Sequence, residues 1–112
     1  MSRVLVIGGY GFYGSKVAAT LRARGHEVSI GARRPQGRAD AVRVDLAAPE
    51  TFAALAGFDA IVNCSDSVNA PPDAAVSHVL QNGGAWMEMG AHARGSERLL
   101  GRGPGSGAWA LP

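Results

Sequence analysis

The densest chemical signal in this chain is Gly8-Gly9-Tyr10-Gly11-Phe12-Tyr13-Gly14, placed directly after the apolar run Val4-Leu5-Val6-Ile7. Two overlapping spacings fit the glycines, Gly9-x-Gly11-x-x-Gly14 and Gly8-x-x-Gly11-x-x-Gly14. Such a turn suits phosphate chemistry: one glycine makes the bend, one lets the backbone approach a pyrophosphate, and one lets a helix pack closely on a strand. The helix that follows offers unpaired N–H groups and a positive dipole end to the anion. Glycines also mark ordinary turns, so the weight rests on context, a buried strand before the turn and a helix after it. Tyr10 and Phe12 are placed to shape the turn and shield phosphates, and Tyr13 is expected to pack under the helix.

A second group of residues bears on which dinucleotide would bind. An NAD-selective site places Asp or Glu about 20 residues beyond the glycine turn, to hold the ribose 2′-hydroxyl. Counting forward reaches Gly31 and Ala32 and then Arg33 and Arg34, with no acid among them. A guanidinium at that point can grip a 2′-phosphate through paired, charge-assisted hydrogen bonds, which favours NADP over NAD. The bland alternative is a pair of solvated loop cations. Arg38 is close enough to join them, although its spacing says nothing. Asp45 and Leu46 end a third strand on the side where an adenine would lie; Asp45 suits either an adenine amino group or a turn cap. Asn63, Cys64 and Ser65 end a fourth strand beside the nicotinamide half of such a cofactor. Cys64 has no nearby histidine in sequence and is expected to be a packing residue.

The elements that must position these groups alternate along the chain. Strands are expected over residues 3–7, 27–30, 42–46, 59–64 and 86–89, and helices over 13–24, 49–56 and from Pro71-Pro72-Asp73 to Asn82. This order predicts an α/β Rossmann-type fold of three layers, an open parallel sheet of strand order 3-2-1-4-5 covered by helices. Residues 1–92 form the NAD(P)-binding domain. Residues 93–112 read as a Gly-rich linker or tail, with Leu99, Leu100, Trp109 and Leu111 able to dock back as an extra strand.

Composition sets outer bounds. At 46% apolar and 18% charged the 112 residues describe a globular chain and not a disordered one. The net charge of +2 and basic residues without interleaved aromatics give no sign of nucleic-acid binding. No apolar stretch approaches the roughly 20 residues needed to span a bilayer, and no leader peptide is visible. The lone Cys64 excludes an internal disulfide and suits a reducing cytoplasm. His26, His78 and His92 have no partners at metal-ligand spacing, so no metal is expected. Glu88, inside an apolar strand, must find a partner or sit at the strand's open end.

Val4 to Gly14 resembles the opening of the saccharopine dehydrogenase-like group of NADP-binding domains. Ala32-Arg33-Arg34, Ile61-Val62-Asn63-Cys64 and Gly83-Gly84-Ala85-Trp86-Met87-Glu88-Met89 extend that likeness over residues 2–92, while Asp66-Ser67-Val68 and Ala85 depart from it. The resemblance implies the NADP-holding part of an oxidoreductase acting at a carbon–nitrogen bond, incomplete without a C-terminal substrate and dimerisation domain or a partner chain, and it leaves a homodimer open. Gly8-x-x-Gly11-Phe12-x-Gly14 also resembles extended and atypical short-chain dehydrogenases, whose Tyr-x-x-x-Lys pair this chain lacks. No catalytic residue is identified, and a non-catalytic NADP-sensing module is the alternative.

Overall fold

A computed structural model of the protein describes residues 2–65 and 72–89, together with the backbone of residues 108–110. Strand β1 (Arg3–Ile7) enters the glycine turn, and helix α1 (Phe12–Ala23) leaves it. Strand β2 (Glu27–Ala32) and the short β3 (Ala41–Arg43) follow, then a 3₁₀ helix over Pro49–Gly57. Strand β4 (Ala60–Asn63), helix α2 (Asp73–Gln81) and strand β5 (Ala85–Glu88) continue the alternation, and β6 (Ala108–Ala110) lies beside β5. Every pairing is parallel, and the order from β3 to β5 is 3-2-1-4-5, as the alternation of elements predicts.

The elements differ from the sequence expectation mainly at their ends. Strand β2 runs on through Gly31 and Ala32, because Gly31 pairs with both Ile7 and Val42. Strand β3 is shorter than 42–46. The Thr51 hydroxyl accepts from Asp45 N at 3.0 Å and donates to Ala48 O at 2.7 Å, which turns the chain away after Val44. The expected helix over 49–56 is the 3₁₀ helix, ended by Phe58 in an extended conformation rather than by a Gly57 cap. His92 and most of the tail lie outside the described residues.

Apolar residues fill both faces of the sheet, as a parallel sheet requires. On one face Leu5, Ile61 and Trp86 pack beneath α2 and the 3₁₀ helix with Phe52, Leu55 and Val76. On the other face Val4, Val6, Val28 and Ile30 pack against Ala18 of α1. The register sets Gly31, Ile7, Asn63 and Glu88 side by side in one row at the carboxyl ends of β2, β1, β4 and β5. That row underlies the site.

Candidate functional site

The glycine turn is held from below by the strands on either side of β1. Gly8 N donates to Gly31 O at 3.0 Å, and Cys64 N donates to Ile7 O at 2.8 Å. Gly8 has φ +76°, and a Cβ there would lie 2.9 Å from Ser65 N, so both backbone hand and space require glycine. Gly14 is buried where α1 crosses the turn, with no room for a Cβ against Gly8 O. Gly11 differs: a Cβ there would meet only Gly8 O, at 3.3 Å, and the backbone is open on its outer side.

That opening coincides with a bare helix end. Gly11 is the N-cap of α1, no side chain caps the helix, and no acidic residue occupies its first turn. The first helical N–H groups have no intrahelical acceptor by geometry, and no local carboxylate competes for them. The residues present therefore fit an approaching pyrophosphate: an accessible glycine backbone, free donors and no opposing charge.

Of the aromatics in the turn, Tyr10 is tied to the β2–β3 connection. Its hydroxyl donates to Asp40 Oδ1 at 2.6 Å, and the Arg38 guanidinium stacks 4.1 Å above its ring. Arg22 Nη2 bonds Asp40 Oδ2 at 2.9 Å and Val28 O at 3.2 Å, joining α1 to the same loop. The hydrogen bond from Tyr10, then that from Arg22, holds the Asp40 carboxyl below its ordinary range. Partial burial and the Asp40 carboxylate raise the Tyr10 hydroxyl. Tyr13 does not pack under the helix: it is 73% exposed, edge-on to Phe12, which is itself 70% exposed beneath Lys16 Nζ. The position facing the sheet belongs to Gly14 and Ala18, one turn on.

Ala32 ends β2, and Arg33 and Arg34 follow it, both exposed and without hydrogen bonds or ion pairs to other described residues. Asp45 Oδ1 accepts from Ala47 N at 2.9 Å, so this carboxylate serves the turn-capping role, and Leu46 leans on the α2-side core.

At the end of β4 lies a buried polar network that the sequence only half disclosed. Asn63 is fully buried and Glu88 is 2% exposed. Asn63 Nδ2 sits 3.0 Å from both Glu88 oxygens, and Trp86 Nε1 donates to Oε1 at 3.2 Å. On its other side Asn63 Oδ1 accepts from Ser65 N at 3.1 Å and Ser65 Oγ at 2.6 Å. Glu88 thus stands at the end of its strand and is satisfied there. From sequence alone its burial is a puzzle; the β4–β5 register, which sets Asn63 beside Glu88, is the signal that resolves it.

Cys64, between these groups, is half-buried, and burial together with the Glu88 charge pushes its thiol up to about 11. Because the thiolate is the reactive form, alkylation by iodoacetamide should be very slow at neutral pH. The rate should climb about tenfold per pH unit towards that value. Brisk labelling near pH 7 would contradict this placement. Among the described residues no group of three or more His, Cys, Asp or Glu could hold a metal, and no helix is long and apolar enough to cross a membrane.

Comparison with known proteins gives this geometry a family. The profile of the NAD dependent epimerase/dehydratase family matches residues 4–84. The chain belongs to that family. Among solved structures, this epimerase/dehydratase-family chain is similar to a Burkholderia pseudomallei protein described as exported, at 29% identity and a TM-score of 0.66, over 79% of this chain and 47% of that one. It is also similar to the UDP-glucose 4-epimerase of Thermus thermophilus, solved with NAD, at 26% identity and TM-score 0.60, over 76% of this chain and 36% of the other. The UDP-N-acetylglucosamine 4-epimerase of Bacillus cereus shares the fold at 18% identity and TM-score 0.65, over 79% of this chain and 36% of that one. A search of curated proteins finds no match. The chain spans about half or less of the length of these structures. The saccharopine dehydrogenase-like resemblance gains no support from these matches.

Proposed function

We propose that this epimerase/dehydratase-family domain holds NADP(H) for an oxidoreductase whose substrate-binding portion lies outside these residues. The observation that carries the reading is the open glycine turn at Gly11 beside the bare end of α1, with Arg33 and Arg34 at the exit of β2. The first pair of features suits the pyrophosphate, and the arginines suit a 2′-phosphate. The Thermus relative was solved with NAD, which supports the dinucleotide class; the choice of the phosphorylated form rests on this chain's own arginines. When bound, such a cofactor supplies or takes up a hydride. The described residues bind and orient it: the α1 end faces the pyrophosphate, the arginines face the adenosine ribose, and Cys64 and Ser65 border the nicotinamide side.

Fluorescence titration with the two reduced cofactors tests this. NADPH should bind about 10- to 100-fold more tightly than NADH, the range expected for two charge-assisted hydrogen bonds. Replacing Arg33→Glu and Arg34→Glu together should remove the preference, because the carboxylates repel the phosphate and accept from the diol. Equal affinities in the unsubstituted chain would refute the NADP assignment, and binding of neither would refute the dinucleotide reading.

A further inference from the structure

The buried network at the ends of β4 and β5 has a direction fixed by its donors and acceptors. Glu88 accepts on both oxygens, from the Asn63 amide and from the Trp86 indole, which can only donate. Asn63 must therefore turn its NH₂ towards Glu88 and its oxygen towards Ser65. That oxygen takes the Ser65 backbone N–H and the Ser65 hydroxyl proton, the latter at 2.6 Å. Reversing the amide would set oxygen against carboxylate at one end and NH₂ against N–H at the other, so one orientation is enforced. The Ser65 hydroxyl has a single proton, and Asn63 holds it.

We propose that Glu88 and Asn63 are positioning residues that fix the Ser65 hydroxyl as a pure hydrogen-bond acceptor for a donor on the nicotinamide-riboside half of the cofactor. The inference rests on the dinucleotide reading above and deepens it. Ser65 is placed for this role because its backbone abuts Gly8, within 2.9 Å of where a Cβ would stand. Asn63 pairs directly with Ile7, the last residue before the glycine turn. Strands β1 and β4 are neighbours from which the chain departs in opposite directions, the crevice where open parallel sheets bind their ligands. The donors that an acceptor-only hydroxyl can serve there are a ribose hydroxyl or a carboxamide N–H. A carbonyl or phosphate oxygen finds no proton on Ser65.

The relay is tested by titrating the full chain with NADPH and, separately, with adenosine 2′,5′-bisphosphate, which carries the adenosine end but no nicotinamide riboside. Ser65→Ala should weaken NADPH about tenfold, the value of one buried hydrogen bond with its partner left unpaired, and leave the bisphosphate unchanged. Ser65→Thr keeps the hydroxyl and should retain NADPH affinity. Glu88→Gln adds an NH₂ among donors, unsettles the Asn63 orientation and should reproduce the selective loss. A purely structural role would weaken both ligands together in Glu88→Gln, and that result overturns the relay. So does full NADPH affinity in Ser65→Ala. If the unsubstituted chain binds neither ligand, the dinucleotide reading itself fails and the relay falls with it.

Discussion

Gly14→Ala is expected to abolish dinucleotide binding and to destabilise the domain by about 2–3 kcal/mol, the upper part of the range for forcing atoms into a packed site. The added Cβ would overlap the Gly8 carbonyl oxygen and lie 2.8 Å from Gly8 C and 2.9 Å from Gly9 Cα. The turn cannot retreat. Gly8 is pinned on one side by its bond to Gly31 O and on the other by the Ser65 backbone. Relief must come from α1, which would have to lift from the sheet and open the contacts of Ala18 with Val4, Val6 and Ile30. Lifting α1 also carries its free N–H groups away from the pyrophosphate position, so stability and binding fall together. Gly25→Ala is the control. That glycine has φ +89° but nothing within 4 Å of a Cβ. Its substitution should cost about 1–2 kcal/mol of backbone strain and leave cofactor affinity intact. Thermal denaturation with NADPH titration separates the two variants, and an unaltered Gly14→Ala protein would refute the packing argument.

Why so much of this fold is legible from the sequence follows from the same residues. Val4 to Ile7 are apolar at consecutive positions because β1 is covered on both faces, and the glycines break that run where the chain must reverse onto the sheet. A strand, a turn that only glycine tolerates and a helix closed by Gly25 leave few other arrangements. The β2–β3 region was less legible. Strand β3 is held by three residue pairs, and its end is set by the Thr51 hydroxyl, a contact six residues distant that no periodicity encodes. The exposed Tyr13 misleads for a related reason. Aromatic type suggests burial, but the helix phase is fixed by Gly14 and Ala18, which turns its ring outward.

The family was harder to read than the fold. Glycine turn, apolar strands and the Gly83-to-Met89 segment are dictated by sheet and phosphate geometry, which many dinucleotide-binding families share. The residues that separate one such family from another act on substrate. Likeness at the turn therefore points to two groups at once. The site's polar interior was legible only in part because its members come from different strands. Nothing local marks Asn63 or Glu88 as partners; pairing of β4 with β5 does. The Tyr10–Asp40–Arg22 contacts likewise join the turn, a loop and α1 across separations of 18 and 30 residues.

Asn63→Leu should produce the largest loss of stability among substitutions at the site that spare glycine, about 3–5 kcal/mol, and a fall in Tm of more than ~10 °C. Leucine keeps asparagine's count of side-chain heavy atoms but is bulkier, so overpacking at this fully buried position adds to the loss of the amide's hydrogen bonds. It removes the amide from between a carboxylate that is 2% exposed and a backbone N–H, withdrawing one donor from the buried charge on one side and the acceptor of the Ser65 N–H on the other. Burying a charge is tolerable when donors surround it and becomes costly once one is withdrawn. Phe12→Ser, at a side chain 70% exposed, should by contrast change stability by no more than about 0.5 kcal/mol. A melting curve for Asn63→Leu that overlays the unsubstituted one would mean that the carboxylate does not depend on the amide. The comparison with Ser65→Ala then divides two roles within one network. Ser65 is half-buried and at the outer end, so its loss should leave Tm nearly unchanged while cofactor affinity falls. Asn63 sits where stability and polarity meet, and its loss should take both.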